Sequence, residues 1–233
     1  MWRVEVLTIF PNIFDSFFAT SLVGKAIAKG VFTSTVTNIR DFASPPHYKV
    51  DDSPYGGGAG MVMSVPPLVA AVEAAKARLP DAHVILFSPA GTLLTQKKVV
   101  ELSQRDSLIA ICGRYEGIDQ RVVDLVVDEE ISIGEYVLMG GEVPAMVVIE
   151  AGLRLRPDAI HNSESVVNES FSHSNEGEPL LEAPQYTRPE EFRGHRVPAA
   201  LLSGNHKEIA EWRAAEAKKR TELVRRNESF PRK

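Results

Sequence analysis

The chain has 233 residues, 44% hydrophobic and 24% charged, an ordinary globular composition with room for one large domain or one domain plus a small appendage. A single cysteine, Cys112, rules out an internal disulfide and fits a reducing cytoplasm, and without a secretion-signal pattern or an apolar run of roughly 18 residues neither export nor membrane contact is expected. The net charge of −5 argues against indiscriminate nucleic-acid binding, but it is uneven: residues 1–160 hold 14 Lys and Arg against 19 Asp and Glu, whereas residues 205–233 hold 9 against 5.

In chain order, WRVEVLTIF (2–10) is β-branched and aromatic-rich and reads as a strand ending at Pro11. TSTVTNI (33–39) reads as a second strand. PPLVAAVEAAKARL (66–79) has apolar residues at helical spacing and opens on proline, which helix N-termini tolerate. HVILFS (83–88), SLIAIC (107–112) and VVDLVV (122–127) are short apolar runs bounded by Pro, Gly or Asp, hence further strands. TQKKVVELSQ (95–104) and PAMVVIEAGLRLR (144–156) read as helices. Strands this apolar, alternating with helices, predict an α/β domain around a mostly parallel sheet.

Near residue 160 the texture changes. HNSESVVNESFSHSNEGEP (161–179) is rich in Ser, Asn and Glu and reads as a flexible linker. HKEIAEWRAAEAKKRTELVRR (206–226) is strongly helical, with Asn205 placed to cap it. The expected organisation is therefore a ligand-binding α/β domain over 1–160, a linker over 161–179 and a small helical domain over 180–233. No internal repeat is visible.

Glycine marks four loops. DDSPYGGGAGM (51–61) lacks the lysine and the order of a P-loop and also the spacing of a dinucleotide fingerprint, so a tight surface loop is the plain reading. SPAG (88–91), CGRYEGID (112–119) and SIGEYVLMGG (132–141) each follow a predicted strand. In open α/β sheets that is where ligands sit. Their acids, Glu116, Asp119, Glu135 and Glu142, would repel a triphosphate. A neutral or cationic nucleoside suits such an apolar, backbone-rich crevice better, and S-adenosylmethionine is one candidate among several.

Other chemistry-bearing residues carry less. Cys112 ends an apolar strand and reads as a buried structural thiol, and the six histidines show no metal-ligand spacing. Arg154, in LRLRP, reads as a charge opposing the helix C-terminus, worth ~0.3–1 kcal/mol. Glu169, in NESF, reads by itself as a linker glutamate.

Taken together, DDSPYGGGAGM, YEGIDQR (115–121), SIGEYVLMGGE (132–142), PQYTRP (184–189) and LLSGNH (201–206) resemble the bacterial tRNA (guanine-N1) methyltransferases, members of the SPOUT class. The likeness runs along nearly the whole chain. It implies a SPOUT-type fold with a trefoil knot, a homodimer with the active site between subunits, and methylation of the guanosine 3′ of the anticodon, at position 37 of tRNA. It also implies that Pro89, Gly113, Ile133, Gly134, Glu135, Tyr136, Val137 and Leu138 contact S-adenosylmethionine, with Gly140 and Gly141 shaping the loop. Family members depend on magnesium, for which this sequence shows no ligand cluster.

The reaction that the resemblance implies sets its own requirements. Guanine N1 carries a proton and is a poor nucleophile until a base removes it, a contribution of ~10²–10⁴-fold. The charge that then spreads to O6 needs a cation. The family motif places the base at Glu169, where aspartate is usual, and the cation at Arg154. Arg188, Arg213 and Lys218–Lys219–Arg220 are placed to meet tRNA phosphates, with His206 as a further substrate contact. Departures from the family pattern are Ala59, Gln120, Glu135, Met139, Glu182 and Gln185.

Overall fold

A computed structural model of the chain describes residues 1–160, 169–171, 174–175 and 178–228. The chain divides into two compact units, Met1–His161 and Asn162–Lys233.

The first unit is built on one parallel five-stranded sheet. Its strands are β1 (Trp2–Thr8), β2 (Phe32–Asn38), β5 (His83–Leu93), β6 (Ser107–Ile111) and β7 (Glu129–Ser132), in the order β2-β1-β6-β5-β7. Two further short strands, β3 (Asp51–Asp52) and β4 (Val62–Met63), pair antiparallel as a hairpin. Parallel pairing forces each connection across a face of the sheet, so both faces are covered and the central strands are apolar on both sides. All five residues of β6 are buried.

Alternation along the strands sorts the core into two layers. On one side Val4, Val6, Leu108, Ala110 and Ile85 pack with residues of helices α2 (Ser21–Ala28), α4 (Gln96–Gln104) and α6 (Glu142–Arg154). On the other, Leu7, Ile109, Ile111, Val84 and Leu86 pack with α3 (Val65–Arg78) and Val122 of α5 (Gln120–Val126). Close approach seats α6: a Cβ on Gly152 would lie 2.7 Å from the Trp2 ring, so glycine is what lets this helix settle on β1. A charge is buried in the second layer. Glu5, 1% exposed, accepts a hydrogen bond from Thr37 Oγ1 at 2.6 Å and pairs with Arg78.

Three local readings change. VVDLVV is helix α5, not a strand: Asp119 accepts a hydrogen bond from the Arg121 N–H at 3.0 Å and caps it, and the neighbouring strand is Glu129–Ser132 instead. The SPAG loop does not end its strand. Residues Phe87 and Thr92 both align with Ile131 of β7, so 88–91 is a bulge thrown out of a longer β5. Helices α1 (Asp15–Ala19) and α2, separated at Thr20, were not legible in DSFFATSLVGKAIA.

In the second unit, much of the linker expected over 161–179 lies outside the described residues; within it β8 (Ser174–Asn175) pairs antiparallel with β9 (Glu178–Pro179). The remainder holds a small hairpin of β10 (Glu191–Phe192) and β11 (His195–Arg196), then α7 (Ala199–Leu202) and α8 (His206–Glu228). Asn205 caps α8 by accepting the Lys207 N–H at 3.1 Å. The buried Thr221 of α8 anchors the preceding chain by accepting the Leu181 N–H at 2.9 Å, and Tyr186 meets Trp212 edge-on at 6.1 Å.

Candidate functional site

Where β6 and β7 end and β5 bulges, three loops enclose a cavity of about 360 Å³, within the usual size range of ligand pockets. The bulge contributes Ser88, Pro89 and Ala90, the loop after β6 contributes Gly113 to Ile118, and the loop after β7 contributes Ser132 to Gly134 and Tyr136 to Gly141. Of the ten residues expected to hold the methyl donor, Pro89, Gly113, Ile133, Gly134, Tyr136, Val137, Leu138, Gly140 and Gly141 line this cavity. Glu135 does not; it lines an adjoining hollow with Leu93 and Tyr136.

Glycine is required at specific points of this wall. A Cβ on Gly91 would lie 2.5 Å from the backbone of Glu130 and Ile131, so only glycine lets the bulge return to β7. A Cβ on Gly141 would lie 2.7 Å from Cys112 Cα, and the Gly141 N–H donates to the Gly113 carbonyl at 2.9 Å. The ends of the second and third loops are thereby held backbone to backbone. Gly134, at φ 156°, leaves room for the Tyr136 ring above it. The Tyr136 hydroxyl donates to the Ile133 carbonyl at 3.1 Å, and the Ser132 hydroxyl donates to the Gly134 carbonyl at 3.1 Å.

Electrostatics depart from the sequence reading at Glu142. Instead of edging the cavity it is 1% exposed at the start of α6; its Oε1 accepts from Thr8 Oγ1 at 2.7 Å and its Oε2 lies 2.9 Å from Arg114 Nε. That contact is an ion pair without hydrogen-bond alignment. Arg114 also donates to the Met139 carbonyl at 3.4 Å and lies 4.7 Å above the Phe10 ring. Glu142 thus fixes a cation in the cavity wall, where the lining carboxylates are Glu116 and Glu130. Burial first, and the Glu142 carboxylate second, push the Cys112 thiol well above its ordinary range, which leaves it a structural group. Asp119 is held down at about 2 by the hydrogen bond from Arg121.

Several contributors were not singled out by residue, although Ser88, Tyr115 and Ser132 belong to the three loops expected at the crevice. Ser88, Tyr115, Gln120, Glu130 and Ser132 line the cavity. The DDSPYGGGAGM segment forms the first strand and the turn of the β3–β4 hairpin, and this hairpin supports the second loop: Glu116 and Asp119 N–H groups donate to Met61 and Met63 carbonyls at 3.0 Å each, and Met63 N–H donates to the Gly117 carbonyl at 2.9 Å. A glycine-rich stretch between two extended pieces was the available sign of a hairpin.

Arg154 lies exposed in the last turn of α6, in the first unit. Glu169 lies half-buried in the second unit, in a segment held by two hydrogen bonds: Phe171 N–H to the Leu180 carbonyl at 2.7 Å and Glu182 N–H to Ser170 Oγ at 3.0 Å. Arg188, Arg213, Lys218, Lys219 and Arg220 belong to that unit and are all exposed, and His206 is the exposed first residue of α8. Among the described residues no group of three or more His, Cys, Asp or Glu side chains is placed to hold a metal ion, and no helix is long and apolar enough to cross a membrane.

Comparison with known proteins places this geometry. The profile of the family described as tRNA (guanine-1)-methyltransferase TrmD matches residues 2–230. A protein of Geotalea uraniireducens named tRNA (guanine-N(1)-)-methyltransferase is 50% identical over 223 residues, 96% of this chain and 88% of its own. Proteins of the same name from Myxococcus xanthus and Anaeromyxobacter dehalogenans are 52% identical over 213 residues (91% and 84%) and 49% over 230 residues (99% and 91%).

Proposed function

Since the chain belongs to the tRNA (guanine-1)-methyltransferase family, we propose that it methylates N1 of the guanosine at position 37 of tRNA, with S-adenosylmethionine as donor. The observation that carries the donor is the cavity at the strand ends, walled by glycine loops in which backbone approaches backbone. Nine residues expected to hold the donor line it. The residues present fit such a molecule. Backbone groups of loops 113–118 and 132–141 can pair with an adenine edge, while Leu138 and Pro144 offer apolar surface and Glu116 and Glu130 bear negative charge towards a cation. When bound, S-adenosylmethionine supplies an electrophilic methyl group on a positive sulfur.

The chain's own residues would do the rest. Glu169 takes the proton from N1, raising its nucleophilicity, and Arg154 opposes the negative charge that gathers at O6. Glutamate carries the same carboxylate as the family's aspartate on one more methylene, so its segment must sit correspondingly further back. No role is assigned to magnesium, because the described residues supply no site for it.

The exposed apolar stretch of the third loop supports a homodimer, the active site lying between subunits. Val137 and Met139 are 86% and 89% exposed, apolar surface that a second subunit would cover. The first unit would hold the donor through a SPOUT-type knot, and the basic stretch 205–233 of the second unit would grip tRNA, in the cytoplasm where tRNA resides. The target base must leave its stack to expose N1. In the test, Glu169→Gln retains donor and tRNA binding by calorimetry and loses ~10²–10⁴-fold in turnover. Activity within a few-fold of the parent would remove Glu169 as the base.

A further inference from the structure

The second unit carries an aromatic feature outside its basic stretch, residues 205–233. The β10–β11 hairpin pairs Glu191 with Arg196 and Phe192 with His195, and the Val197 N–H extends the ladder to the Glu190 carbonyl at 2.9 Å. Directly opposed residues share a face and successive residues alternate. One face therefore carries the ion pair of Arg196 Nε and Glu191 Oε2, 2.5 Å apart, which holds the register. The other carries Phe192 beside His195.

Between them the two turn residues, Arg193 at φ 51° and Gly194 at φ 81°, are both left-handed, as a two-residue hairpin turn of type I′ demands. Asparagine or glycine is the residue that position favours; arginine occupies it at an energetic cost. In that conformation its guanidinium carbon lies 5.2 Å over the Phe192 ring. Phe192 nevertheless remains 62% exposed, and Arg193 and His195 are exposed with it. A protein partner would want apolar surface around that ring, whereas here the ring is rimmed by arginine and imidazole. A flat ring open on one side with a cation at its edge matches an unpaired nucleotide, base on ring and phosphate on guanidinium.

We propose that the tip of this hairpin, Phe192–Arg193 with His195, is a stacking platform for one unpaired nucleotide of the bound tRNA. The inference rests on the tRNA-methyltransferase reading and adds to it a contact separate from the donor cavity. Its test is the affinity of the full-length protein for an unmodified tRNA transcript, with Phe192→Ala, Phe192→Trp and Arg193→Gly. Phe192→Ala should weaken tRNA binding and raise the tRNA KM by roughly 5- to 150-fold, the span of one base–aromatic stack, with donor affinity and melting temperature held. Phe192→Trp should restore the affinity. Arg193→Gly keeps the turn and removes the cation, so the slope of log affinity against log salt should fall by about one. Phe192→Ala binding tRNA within two-fold of the parent would overturn the platform while methyl transfer by the parent leaves the functional reading standing. A parent that neither binds tRNA nor transfers methyl overturns both. A shift of the oligomer in sedimentation by Phe192→Ala, with tRNA affinity unchanged, would assign the ring to a protein contact and overturn the proposal as well.

Discussion

Replacing Gly141 by alanine adds one methyl group at the point where the second and third loops touch. Gly141 has φ −84° and ψ −4°, a conformation alanine adopts without strain, so the whole effect is steric. The new Cβ would lie 2.7 Å from Cys112 Cα, about 0.7 Å short of the 3.4 Å at which ordinary contact begins. Both sides of the clash are backbone, and no side chain can rotate away. If the loops part by that amount, the hydrogen bond from Gly141 N–H to the Gly113 carbonyl stretches from 2.9 Å beyond useful length. Overpacking of this kind costs ~1–3 kcal/mol and the hydrogen bond ~0.5–1.5, against ~0.4–1 returned by the stiffer unfolded chain. A net loss of about 2–3 kcal/mol should lower the melting temperature of a unit of this size by roughly 4–12 °C. Because the displaced backbone is the cavity wall, donor affinity should fall by about ten-fold or more in calorimetry. A melting temperature within about 2 °C of the parent, at the low edge of that scale, and an unchanged donor Kd would refute the backbone-contact argument.

Glu142→Ala leaves Arg114 without its counter-charge and the buried Thr8 hydroxyl without its acceptor. The expected loss is about 3–5 kcal/mol in urea unfolding, and a loss below about 1 would show that the pair is idle. Asp119 is held at about 2, below its ordinary 3.8, so its pairing with Arg121 stabilises the fold above the unfolded value and that stability disappears as pH falls towards 2. Asp119→Asn should therefore be less stable than the parent at pH 6, with the gap closing as unfolding is measured at pH 4 and then 3; a constant gap would contradict this. Changing Lys218, Lys219 and Arg220 together to Gln should flatten the salt dependence of tRNA binding by about one unit of slope for each phosphate no longer neutralised. An unchanged slope would place the tRNA elsewhere.

What the sequence disclosed follows from which constraints are local. WRVEVLT, HVILF and SLIAI were legible because a doubly covered parallel sheet demands continuous apolar runs. VVDLVV satisfies the same pattern and is nonetheless a helix; the distinguishing feature is Asp119 as a cap two residues before Arg121, a weaker mark than five valines and leucines together. The real strand, Glu129–Ser132, opens on two acids, and no apolar run announces it: Glu129 is instead matched by Lys98 at 2.9 Å. The glycine loops could be recognised because their glycines answer to backbone crowding, as at Gly91 and Gly141. Glu142 could not be placed, since its partner Thr8 is 134 residues away and an acid beside glycines looks the same whether buried or exposed. The support that the β3–β4 hairpin gives the second loop was hidden for a related reason, because backbone hydrogen bonds between distant segments leave no residue pattern.

The central claim is best tested by one mapping experiment. The purified protein is incubated with S-adenosylmethionine carrying a labelled methyl group and an unmodified tRNA transcript with guanosine at position 37, and the RNA is then digested to nucleosides and to sequenced fragments. The label should appear as 1-methylguanosine in the fragment that contains position 37, and should vanish when adenosine replaces that guanosine. Label on another atom or another nucleotide, or none at all, would contradict the account.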